Sequence, residues 1–253
     1  MKRIVVAAIV CMMLAVMSMT GKTQDFSSSD KSQDFSITPA GLPFPTWDKR
    51  SPFPIYDNGG LADLVTDSRR LMSSADIVTQ NFSTSSCELI EGSIGAAGAR
   101  RLLRFDVAIA NIGNGDLHVG SPTDPNNPYH SAFVFSPCHG HYHISGFTDY
   151  QLLNLDHTSV AAFGHKQAFC LEDIVRYGTG ASHGYTCGNQ GITSGWADLY
   201  SKFLSGQWID ITGVADGDYI LHVEINAAHT FPEGQNLYDN VFEVGVHLPI
   251  RRK

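Results

Sequence analysis

The 253-residue sequence predicts a mainly β protein: an antiparallel β-sandwich-like single domain with long loops and few short helices. Apolar and β-branched runs are short and stop at turn residues, as Arg101 to Ile112 does at Gly113-Asn114-Gly115-Asp116. The closing run alternates, placing Phe242, Val244, Val246 and Leu248 on one face of an extended segment. Helix is credible only for short pieces, such as Leu61 to Leu71.

The chain opens with Lys2 and Arg3, an apolar run from Ile4 to about Met17, and Ser18-Met19-Thr20-Gly21. A charged start and an apolar run too short to span a bilayer comfortably read as an export signal over residues 1–21. Its removal takes Cys11 and leaves Cys87, Cys138, Cys170 and Cys187. An even number in an oxidising compartment predicts two disulfides, with three pairings open on spacing alone. Residues 22–54 repeat Gln-Asp-Phe-Ser at 24–27 and 33–36, then carry Pro39, Pro43, Pro45, Pro52 and Pro54. Neither half buries much apolar surface, so a disordered polar and proline-rich lead is expected, with the folded domain over 55–253.

Composition suits that domain, with 43% hydrophobic and 17% charged residues. A net charge of −8 argues against nucleic acid and suits cationic partners. Within the domain, His141 to Leu153 alternates loosely, Gln207 to Thr212 is short and alternating, and Asp218 to Asn226 follows a Gly-Asp turn. Residues 120–137, rich in proline and asparagine, form a long loop leading to the histidines.

Those histidines are the chemical centre of the chain: Ser136-Pro137-Cys138-His139-Gly140-His141-Tyr142-His143. In an extended segment His139, His141 and His143 share one face, with Gly140 and Tyr142 turned away. Copper and zinc favour neutral imidazole, and three imidazoles leave a further position for water or substrate. The spacing does not choose the metal.

Several motifs in series resemble the catalytic domain of the lysyl oxidase family. They are Cys138 to His143; Phe147-Thr148 with Tyr150-Gln151-Leu152-Leu153; Gly164-His165-Lys166-Gln167-Ala168-Phe169-Cys170-Leu171-Glu172-Asp173; Gln190 to Gly195; Asp198-Leu199-Tyr200; Gln207 to Thr212; and Gly217 to Leu221. The likeness runs in order from roughly Leu61 to Val246.

The resemblance implies that His139, His141 and His143 hold copper, and that Lys166 and Tyr200 cross-link into lysine tyrosylquinone. It implies a secreted enzyme that uses O2 to deaminate primary amines, peptidyl lysine or small amines, to aldehydes with release of H2O2 and NH3. His165, Asp173 and Asp210 lie in matching motifs as candidates for the base. A calcium site is implied at Asp63, Leu64, Glu233, Asn236, Asp239 and Asn240, whose carboxylate, amide and carbonyl oxygens are the hard donors calcium prefers. By the same resemblance Cys138 pairs with Cys187, which leaves Cys87 for Cys170. The competing expectation is a secreted copper- or calcium-binding β-sandwich module without quinone chemistry.

Overall fold

The computed structural model describes Ile55, Asp57 and residues 59–164, 169–178, 182–234 and 237–250. The expected export signal (1–21), the polar lead (22–54), His165, Lys166 and Asn236 lie outside the described residues.

Strand dominates, as expected, in several antiparallel sheets. One four-stranded sheet has the order β1 (Leu64–Thr66), β4 (Val107–Asn111), β12 (Trp196–Tyr200), β10 (Val175–Arg176). A second runs β15 (Val241–Leu248), β14 (Gly217–Ile225), β8 (Thr148–Leu153), β9 (Val160–Gly164). A three-stranded sheet is ordered β13 (Trp208–Asp210), β3 (Gly98–Arg104), β2 (Asp76–Phe82). Two pairs complete the set, β11 (Gln190–Ile192) with β5 (Leu117–Gly120), and β6 (Phe133–Ser136) with β7 (His141–Ile144). The helices are short, α1 (Ser68–Ser74) and α2 (Cys87–Ile90), with single 3-10 turns at His130–Ala132 and Leu237–Asn240.

The closing strand behaves as its alternation requires. Phe242, Val244 and Val246 pack on the core and Leu248 is buried within it. Their partners across the ladder are Val223, Leu221, Tyr219 and Gly217, so one face of β14 and β15 meets the core together. Leu221, Val223 and Leu152 are fully buried there, each contributing about 1.5–3 kcal/mol.

Three segments differ from the sequence reading. The run from Arg101 to Ile112 is two strands in different sheets, separated at Phe105-Asp106. Asp106 N donates to Ser74 Oγ (2.7 Å), and its carboxylate accepts from Lys202 N (2.8 Å) and Arg70 Nε (3.0 Å). A residue satisfied on three sides outside the ladder lets the chain change sheets. The stretch from Leu61 to Leu71 is not one helix. Leu64-Val65-Thr66 pairs with β4, and Asp67 then caps α1 by accepting from Arg70 N at 3.0 Å. The 120–137 segment is a loop only as far as the 3-10 turn, because Phe133–Ser136 pairs as β6 with the histidine strand.

Disulfide pairing also corrects the expectation. Cys87 bonds Cys138 and Cys170 bonds Cys187, with Cα separations of 5.7 and 5.0 Å. Cys138–Cys187 and Cys87–Cys170 do not form. The sheets bring α2 against the β6–β7 turn and the 170 segment against the turn before β11, two placements that spacing does not encode.

Candidate metal centre and buried tyrosine

The three histidines meet, but not as a single extended face. Only His141 and His143 stand on β7. His139 lies in the turn before it, closed by Gly140 N to Ser136 O (2.8 Å) and by Gly140 in the left-handed region at φ 72°. The turn carries the His139 ring back over the strand. Ring centroids are 4.9 Å apart for His141 and His143, 5.3 Å for His139 and His143, and 5.8 Å for His139 and His141. Three imidazoles around one centre are the donor set that copper favours. Among the described residues no three His, Cys, Asp or Glu side chains form a ready-made metal group. An ion at the three rings would have to draw their nitrogens inward.

Supports around the trio were not visible in the sequence. Glu91, just past α2, places Oε2 3.1 Å from His139 Nε2, and its Oε1 accepts from Ser136 Oγ at 2.6 Å. Gln190 is fully buried. It accepts from Leu171 N (2.9 Å) and donates to the carbonyls of Tyr142 and Cys187 (both 3.4 Å), tying the histidine strand to the second disulfide.

Tyr200, at the end of β12, lies on the same side of the molecule. Its ring centroid is 5.6 Å from that of Phe169, which in turn is 5.6 Å from His143. Two such steps hold the Tyr200 and His143 rings no more than 11.2 Å apart. The tyrosine is buried and its hydroxyl donates to Cys170 O at 3.5 Å. Two residues earlier, on the same strand face, Asp198 is equally buried. Asp198 Oδ2 has no hydrogen-bond partner among the described residues. Burial pushes the Asp198 carboxyl well above the usual carboxylate range. Burial, reinforced by the Asp198 charge, likewise raises the Tyr200 phenol. Asp198 stands in the Asp-Leu-Tyr motif, where strand alternation alone puts it beside the tyrosine, and that spacing is the sequence signal for it.

Of the candidate bases, two are occupied. Asp173 accepts from Thr193 Oγ1 (2.6 Å) and from the amides of Thr193, Gly184 and Tyr185. Asp210 is paired with Arg100 (2.7 Å) and also accepts from Gly95 N and Thr212. Burial raises the Asp210 carboxyl, but the Gly95, Thr212 and Arg100 bonds outweigh it and hold it below its ordinary value. Both carboxylates hold loops rather than offer a free basic oxygen.

Of the residues named for calcium, Glu233 bonds two others, Leu64 and Asn240. Glu233 Oε2 accepts from Leu64 N (3.0 Å), and Oε1 accepts from Asn226 and Asn240 (2.7 and 2.8 Å). Burial, then the charges of Asp63 and Glu233, push the Asp239 carboxyl up to about 7. Burial raises Asp63 and Glu233 as well.

A sequence model described as lysyl oxidase matches residues 63–248. Lysyl oxidase homolog 2 of Mus musculus is 39% identical over 183 residues, 68% of this chain and 22% of that protein. The Homo sapiens homolog 2 is 37% identical over 190 residues, 70% of this chain and 23% of that protein. Lysyl oxidase homolog 3A of Danio rerio is 49% identical over 133 residues, 51% of this chain and 17% of that protein. The chain spans about a fifth of the length of these curated relatives.

Proposed function

The chain belongs to the lysyl oxidase family, and from that premise we propose that it is a secreted, copper-dependent amine oxidase. Its reaction converts R–CH2–NH2, O2 and H2O to R–CHO, NH3 and H2O2, with peptidyl lysine or small primary amines as substrate. One observation carries the reading: the ring of Phe169 lies 5.6 Å, centroid to centroid, from the rings of both His143 and Tyr200. His139, His141 and His143 would hold the copper, and Tyr200 and Lys166 would become the cross-linked quinone. Copper with oxygen supplies the oxidising power that turns a phenol into a quinone, and the quinone supplies an electron sink for amine oxidation.

The chain's own residues prepare that chemistry. Phe169 and the strand packing keep water from Tyr200, so its proton is held until a positive charge nearby offsets the burial. Asp198 is a buried carboxyl beside it that can take up or return a proton. Cys170–Cys187 closes the segment leading from Phe169 onto the turn before β11, and two disulfides suit an oxidising, extracellular setting. Asp63, Leu64, Glu233, Asn236, Asp239 and Asn240 would supply oxygens to calcium.

The test is to express the full chain with copper in air. The reading expects a phenylhydrazine-reactive chromophore, a Lys166–Tyr200 cross-link in the peptide masses, and amine-dependent peroxide release. A binding module without quinone chemistry gives none of the three, and that result would overturn the proposal.

A further inference from the structure

Glu91 is not explained by the three-histidine reading, yet it is built into the same place. Its carboxylate is fixed at both oxygens, by Ser136 Oγ at 2.6 Å and His139 Nε2 at 3.1 Å. Ser136 Oγ also accepts from the His139 amide at 3.2 Å, closing a ring of three residues. The Cys87–Cys138 disulfide joins the start of α2 to the residue before His139, so Glu91 is held against the trio from a separate part of the chain.

We propose that Glu91 is a fourth protein ligand of the copper centre, donating Oε2 beside the three imidazoles. This deepens the copper reading above and rests on it. An ion about 2.0–2.1 Å from each of two donors standing 3.1 Å apart subtends about 100° between them. That angle lies between the square and tetrahedral values, so Glu91 and His139 can share one ion as neighbouring ligands once both turn from each other toward it. Copper(II) favours tetragonal sets of nitrogen and oxygen donors, and an anionic oxygen offsets part of its charge in a half-buried site. Without an ion, the same two atoms satisfy each other, which keeps the carboxylate from straying. Ser136 fixes the second oxygen, so the carboxylate presents one donor rather than chelating.

The test compares the full chain with its Glu91→Gln variant and, as a control on the same helix, Glu88→Gln, whose carboxylate instead accepts from Ser205 Oγ. Copper affinity is measured by competition with a chromogenic chelator, and the copper(II) environment by electron paramagnetic resonance. Glu91→Gln is expected to weaken copper by more than the roughly 10–100-fold that losing an outer hydrogen-bond partner of a ligating histidine costs, and to shift the parallel g and hyperfine values, while Glu88→Gln matches the unaltered chain. If Glu91→Gln costs the fold, Glu91→Asp keeps the charge while shortening the reach, and is expected to weaken copper and shift the spectrum in the same direction. A folded Glu91 variant whose affinity falls by no more than that roughly 10–100-fold, or whose spectrum is unchanged, would overturn the inference and leave the copper reading standing. An unaltered chain that binds no copper would overturn both.

Discussion

Replacing Cys87 and Cys138 together by alanine removes the link between α2 and the turn that carries His139. The loop it closes spans 51 residues, for which chain entropy gives a stabilisation of about 4 kcal/mol. Cys170 and Cys187 close a loop of 17 residues, worth about 3 kcal/mol on the same basis. Guanidinium unfolding of the two double variants should therefore rank them in that order, each well below the unaltered chain. The two losses should also differ in kind. Freeing α2 releases Glu91 from His139, so the Cys87→Ala, Cys138→Ala variant should lose copper affinity beyond its loss of stability. The other pair should chiefly loosen the approach to Tyr200. Non-reducing peptide mapping checks the premise directly. Recovery of a Cys138–Cys187 peptide, a loss below about 1 kcal/mol for the longer loop, or the reverse ranking would refute the reasoning.

Three further outcomes are expected. Asn111→Ala should cost about 3–4 kcal/mol in chemical unfolding, because Asn111 accepts from the amides of Asp63 and Gly113 and donates to the carbonyls of Gly115 and Ile192; a loss under about 1 kcal/mol contradicts that role. The folded chain keeps the Asp239 proton up to about pH 7, where an unfolded aspartate has lost it, so this contribution is full at low pH and fades as pH rises through that value. Thermal melts without divalent ions should show the decline, and calcium should raise the midpoint more at about pH 8 than at about pH 5; equal calcium effects at both would count against calcium at Asp239. Phe169→Ala should admit water to Tyr200 and lower the pH at which its phenol ionises, read by ultraviolet titration; an unmoved titration would show that Phe169 does not shield it.

Much of the architecture was readable because local physics set it. Alternation over Phe242 to Leu248 marks a strand wherever that segment packs, and Gly113 to Asp116 is turn chemistry in any context. The Phe105-Asp106 break was not readable. Its cause is three partners, Ser74, Arg70 and Lys202, that lie 32 to 96 positions away. Similarly, Leu64-Val65-Thr66 is apolar enough for either helix or strand, and the choice was made by β4.

By itself the sequence determined the chemistry on offer: three imidazoles within five residues, an aspartate two residues before a tyrosine, four cysteines beyond residue 21, and carboxylates with amides near Glu233. These follow from residue type and short spacing, which the chain carries wherever it goes. Only the tertiary structure decided which cysteines join, that His139 reaches its partners from a turn, that Phe169 touches both His143 and Tyr200, and that Glu91 faces His139. All but the His139 turn are contacts across long sequence separation, chosen by which sheets pack together, and packing is a property of the whole core rather than of any stretch within it.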